Sequence, residues 1–113
     1  PNETQILQGL SKEAELIRAK VPKGSWLCIL APEGKMLSSE ELAGKLSEIK
    51  KSGKSSVCFL IGSSFGVDAG LKKQADLLLS MSRMTFPHHL ARVMALEQLY
   101  RAEAIQAGTK YHK

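Results

Sequence analysis

The sequence predicts an α/β domain built on a parallel sheet, and two kinds of segment predict it. Trp26 to Leu30 and Val57 to Ile61 are short, wholly apolar runs, the pattern of strands covered on both faces. Around them, apolar residues recur at helical spacing. The two kinds of segment alternate along the chain, as parallel strands joined by crossover helices require.

Each element has its own local reasons. Asn2-x-x-Gln5 reads as a capping box. Ile6, Leu7, Leu10, Ala14 and Ile17 then continue a helix to about Ala19. Pro22 and Gly24 break it, and the first strand follows at Trp26 to Leu30. Pro32-Glu33-Gly34-Lys35 reads as a turn. Ser38-x-x-Glu41 is a second capping box, with Leu42, Leu46 and Ile49 as the apolar stripe of its helix. Lys50 and Lys51 suit the negative end of that helix, and Gly53 stops it. Val57 to Ile61 is the second strand, followed by the loop Gly62-Ser63-Ser64-Phe65-Gly66. A short helix is expected over Ala69 to Ala75, with Leu71 facing inward, and a third strand over Leu77 to Ser80. Met81 to Phe86 is irregular, and a last helix starts at Pro87 and ends at Gly108. Its buried face is expected to carry Leu90, Val93, Met94, Tyr100, Ala104 and Ile105.

The bulk numbers bound the function. A chain of 113 residues suits one domain with a real core. It is 43% hydrophobic and 24% charged, and no apolar run approaches the roughly 20 residues of a membrane span. The N-terminus has no basic-then-apolar secretory pattern, and it begins at Pro1 without an initiator Met. The net charge of +5 is compatible with RNA, although a solvated basic surface explains it as well. The two cysteines, Cys28 and Cys58, lie in apolar runs and have no ligand spacing. Buried, reduced thiols in a cytoplasmic protein are therefore expected, and no metal site. In open α/β sheets ligands bind beyond the carboxyl ends of the strands. Here those ends carry Leu30-Ala31-Pro32, Gly62-Ser63-Ser64 and Met81 to Phe86, which are expected to share one pocket.

Several stretches resemble a known family, the bacterial RlmH methyltransferases. They are FLIGSSFGVD (Phe59 to Asp68), LSMSRMTFPHHLARVMALEQLYRA (Leu79 to Ala102), the terminal YHK, and LAPEGKMLSSEELA (Leu30 to Ala43). The likeness covers nearly all of the chain. It implies a SPOUT-type parallel sheet with helices on both faces and a C-terminal trefoil knot. It also implies an S-adenosyl-L-methionine-dependent enzyme that methylates N3 of a pseudouridine in 23S ribosomal RNA, as a homodimer, on an assembled ribosomal particle. Family members begin with a strand and a helix ahead of the region corresponding to Pro1, so the chain is expected to be N-terminally incomplete. The family's Ile-Gly-Gly is here Ile61-Gly62-Ser63, its His-Pro is His88-His89, and its final Tyr-His-Arg is Tyr111-His112-Lys113.

The resemblance also weights the candidate sites. Gly62 becomes a cofactor contact rather than a plain turn glycine. Met81, Ser82, Arg83, Met84, Thr85 and Phe86 become the wrapping of the adenosyl group, where the residues alone favour core packing. Leu30 would close the pocket from the first strand. His88 contacts RNA or orients substrate, or else caps and packs. Arg92, one turn on, meets a phosphate or base, or forms a salt bridge. Tyr111, His112 and Lys113 contact RNA or cofactor, or are a frayed terminus. Trp26 reads as core.

The reaction implied is displacement at the sulfonium methyl by the imide nitrogen, in which alignment contributes on the order of 7–11 kcal/mol and no metal is required. His88, Arg92 and His112 are the candidate catalytic residues, and no base is singled out. Glu97 could serve, or could equally anchor Arg101 four residues on. The rival reading is a non-catalytic RNA-binding module of the same fold.

Overall fold

The computed structural model describes residues 2–54, 56–62 and 66–108. The elements run α1 (Glu3–Lys20), β1 (Ser25–Met36), α2 (Ser39–Lys51), β2 (Ser56–Ile61), α3 (Ala69–Gln74), β3 (Leu77–Ser80) and α4 (His88–Ala107). Both capping boxes form. Asn2 and Ser38 each accept from the N3 backbone N–H, and Gln5 and Glu41 reach back to the cap backbone. Gly108 ends α4 in the left-handed conformation, at φ +71°.

The three strands are parallel and ordered β2-β1-β3, so β1 is central. Strand side chains alternate between faces, and each face of β1 feeds its own core. Trp26 and Cys28 pack with Leu42, Ala43, Leu46 and Ile49 of α2, with Leu79 and with Ala102 of α4. Leu27 and Ile29 pack with Ala14 of α1, Val67 and Leu71 of α3. Helices therefore cover both faces, and the apolar runs are apolar for that reason.

Two hydrogen bonds tie the start of β3 to β1. Leu27 N–H donates to the Asp76 carboxylate and Asp76 N–H to the Leu27 carbonyl, each at 2.8 Å. At the amino ends of β1 and β2, the Ser25 and Ser56 hydroxyls meet at 2.7 Å.

Three expectations need correction. The segment Pro32 to Lys35 is not a turn between elements. It lies inside β1, whose pairing with β3 jumps from Leu30↔Leu79 to Lys35↔Leu79. The excess residues bulge out of the ladder, and strand resumes after them. Turn-forming residue types are equally at home in a bulge, which is why local composition misreads them. Second, Leu90, Val93 and Tyr100 of α4 are 43%, 61% and 61% exposed. The helix buries Ala95, Ala102 and Ala104 instead, with Leu99 and Ile105 partly covered. Small residues let α4 lie close on α2, where Gln98 accepts from Ser39, Gln106 donates to the Ala43 carbonyl, and Lys50 reaches Glu103 and Gln106. Third, Cys28 is buried but Cys58 only half-buried. The helix expected from Ile6, Leu7, Leu10, Ala14 and Ile17 forms, with Leu10 and Ala14 buried.

Candidate active site

Because all three strands run the same way, their carboxyl ends meet at one edge of the sheet. A cavity of about 700 Å³ opens there, within the roughly 300–1,000 Å³ typical of small-molecule sites. Each chain segment expected at this edge contributes to its wall. Leu30 to Glu33 come from β1, Ile61 and Gly62 from the end of β2, and Met81, Ser82, Met84, Thr85 and Phe86 from the loop after β3. Gly66, Val67, Lys72 and Leu79 line it too, as do Pro87, His88, His89 and Ala91 where α4 begins.

The loop after β3 is shaped by its own serines. The buried Ser80 hydroxyl donates to the Ser82 carbonyl at 3.0 Å. The Ser82 hydroxyl in turn accepts from Met84 N–H, also at 3.0 Å. Met84 is 71% exposed, so core packing does not explain it, and Met81 and Phe86 are half-buried. These three side chains form an apolar wall with Leu30, Ile61 and Leu79.

Gly62 is required by the chain itself. A Cβ there would stand 2.5 Å from Val67 Cγ2 and 2.7 Å from the Gly66 carbonyl oxygen. Gly66, whose carbonyl stands over position 62, has φ +96°, a conformation that favours glycine.

His88 and His89 lie on the wall, both exposed, with ring centroids 6.0 Å apart in an edge-to-face arrangement. Arg83 and Arg92 are exposed and are not part of the wall. Glu97 also lies away from it and accepts from Arg101 at 2.6 Å, the anchoring alternative. Ser63, Tyr111, His112 and Lys113 lie outside the described residues. Among the described residues, no cluster of three His, Cys, Asp or Glu side chains could hold a metal ion. No helix among them is long and apolar enough to cross a membrane.

Two wall residues had no sequence signal. The Lys72 ammonium donates to Glu33 Oε1 at 2.5 Å. That hydrogen bond holds the Glu33 carboxyl below its ordinary range, with smaller help from Glu33's own backbone. Glu33 sits in the bulge read as a turn, and Lys72 in a helix of six residues. Nothing local connects positions 39 residues apart.

A family model described as "Predicted SPOUT methyltransferase" matches residues 1–112. Several curated relatives bear the name "Ribosomal RNA large subunit methyltransferase H". The one from Dinoroseobacter shibae is 48% identical over 105 residues, covering 93% of this chain and 67% of the relative. The one from Moorella thermoacetica is 46% identical over 113 residues, covering 100% of this chain and 71% of the relative. The one from Bifidobacterium adolescentis is 48% identical over 103 residues, covering 91% and 65%. The chain thus spans about two thirds of the length of these relatives.

Proposed function

The chain belongs to the SPOUT methyltransferase family, and from that premise we propose that it transfers the methyl group of S-adenosylmethionine to N3 of a pseudouridine in 23S ribosomal RNA. The observation that carries the reading is the convergence of three parallel strand ends on one cavity, in a chain that matches relatives named for methylating large-subunit ribosomal RNA.

The residues present fit the cofactor. An adenine ring needs apolar walls and nearby backbone polar groups. Leu30, Met81, Met84 and Phe86 supply the walls, and the backbone of Ser82 to Phe86 lies beside them. At Gly62 the absent side chain makes room for Val67 and the Gly66 carbonyl, and Gly62 itself lies in the cavity wall. When bound, the cofactor supplies a methyl group on a sulfonium, which is already a good leaving group. The work left to this chain is to align the nucleophile, exclude water and take up the imide proton.

Leu30, Gly62, Met81, Ser82, Met84, Thr85 and Phe86 hold the cofactor in this reading. Arg83, exposed in the same loop, belongs to the RNA side. His88 stands on the cavity wall within reach of entering substrate, and it is the proton acceptor we favour. Arg92 follows one turn later on α4 and grips RNA beside it, with Tyr111, His112 and Lys113 of the tail. The +5 net charge favours that approach. The trefoil knot, the ribosomal particle as substrate and the cytoplasm belong to the same proposal. So does the homodimer, which the exposed apolar stripe of α4 supports.

Calorimetric titration with S-adenosylmethionine, paired with methyl transfer to ribosomal particles, tests the reading. Micromolar cofactor binding and a methyl group on the imide nitrogen are expected. Retained RNA affinity without cofactor binding would instead establish the non-catalytic module.

A further inference from the structure

We propose that Glu33 and Lys72 are the recognition site for the amino-acid end of the sulfonium donor, Lys72 taking its carboxylate and Glu33 its ammonium. The proposal rests on the methyltransferase reading above and deepens it.

Apart from His88 and His89, the wall residues among those described are uncharged except for Glu33 and Lys72. The donor likewise divides into two unlike ends. Its adenosine carries no formal charge and suits the wall of Leu30, Met81, Met84 and Phe86. Its amino-acid end is a zwitterion, and it requires one partner of each sign. The Glu33–Lys72 pair presents one of each, side by side. Exchanging their mutual contact for two contacts with the amino-acid end leaves these four charges paired, and that end adds no net charge of its own, which avoids the cost of an unpaired charge. Charge-assisted hydrogen bonds of this kind are the stronger ones.

Both side chains stand on fixed supports. Gly34, next to Glu33, lies so close to β3 that a Cβ would meet the Leu78 carbonyl carbon and oxygen at 2.7 Å. The bulge carrying Glu33 is therefore pressed against the sheet. Lys72 follows Leu71, which is 2% exposed. The start of its helix is capped by Asp68, which accepts from Leu71 N–H at 3.0 Å, and its end is held by Arg18 donating to Gln74 at 2.6 Å. The two side-chain tips keep freedom to re-pair, since their side chains are 29% and 54% exposed for Lys72 and Glu33.

The test compares two ligands in calorimetry with the full-length protein. S-adenosylhomocysteine carries the amino-acid end, and 5′-methylthioadenosine is the same adenosine thioether without it. Lys72→Met and Glu33→Gln are each expected to weaken S-adenosylhomocysteine about tenfold and to leave methylthioadenosine within about twofold. The exchange variant Glu33→Lys/Lys72→Glu rebuilds the ion pair with its charges in the wrong places, so it is expected not to restore S-adenosylhomocysteine binding. The proposal is overturned if both ligands weaken together, because the pair then only shapes the cavity. It is overturned if the exchange restores binding, because the pair then only ties α3 to β1. It is also overturned if S-adenosylhomocysteine is unaffected throughout while RNA affinity falls in Lys72→Met, which assigns Lys72 to phosphate. Wild-type protein that bound neither ligand would remove the methyltransferase reading itself. Wild-type protein that bound both equally would remove only this proposal.

Discussion

A methyl group at position 62 would collide with Val67 Cγ2 at 2.5 Å and with the Gly66 carbonyl oxygen at 2.7 Å. From the sequence, Gly62→Val is expected to fill the pocket mouth and leave the fold intact. The contacts show a larger consequence, because Gly66 and Val67 must move before any ligand is considered. Gly62→Val is therefore expected to lose donor binding and also about 1–3 kcal/mol of stability, measured by calorimetry and urea unfolding. Unchanged stability in a non-binding variant would return the role of this glycine to the pocket mouth alone. Cys28 poses a different residue-scale case. Burial pushes its thiol up to about 12 from an ordinary 9.0. The thiolate is the reactive form, so Cys28 is expected to resist iodoacetamide at pH 8 in the native protein and to react once unfolded, as read by mass spectrometry. The sign for stability follows. A group with a raised folded pKa contributes fully below its unfolded value and loses that contribution as pH rises through the folded one. Stability is thus expected to fall between pH 9 and 12, and Cys28→Ala to flatten that fall. Rapid native labelling of Cys28 would contradict its burial.

At the scale of elements, β1 and α4 carry the information that local patterns miss. In β1, Pro32 to Gly34 have the composition of a turn, yet the strand continues to Met36. What decides this is Gly34, where the absence of a side chain lets the bulge lie on the backbone of Leu78 and Leu79. Strand backbone cannot swing aside as a side-chain tip can. Gly34→Ala is expected to cost about 1–3 kcal/mol in urea unfolding and to shift Glu33 at the cavity wall. A variant as stable as the parent would show that the close approach is not needed. In α4 the apolar residues go almost all the way round. Ala95, Ala102 and Ala104 go inward, while Leu90, Val93, Leu96 and Tyr100 stay 43% to 61% exposed. Periodicity alone chooses the larger side chains for the core, but the neighbouring α2 admits the smaller ones.

For the whole molecule, an exposed stripe of four large side chains on one helix is the kind of surface that association covers. The homodimer we propose places it at the interface. Val93→Glu with Leu96→Glu is expected to shift the protein to a monomer in analytical ultracentrifugation while leaving its helical content unchanged. An unaltered sedimentation coefficient would move the interface elsewhere. The α/β class, both capping boxes, the strand cores and the final helix with its Gly108 stop were legible from sequence, because each is a short-range matter of hydrogen-bond caps, backbone freedom or side-chain period. So were the three chain segments that meet at the cavity, since parallel strands place their carboxyl ends together whatever their order. Much less could be read of where individual side chains point. Arg83 shares a loop with five wall residues yet stands outside the wall, and Glu33 and Lys72 face each other only because β1 bulges and α3 follows β2. Local chemistry along the chain determined which segments are helix, strand and ligand loop. The three-dimensional packing alone decided which residues share the cavity and which face of α4 is covered, because those outcomes depend on distances between positions that sequence spacing does not relate.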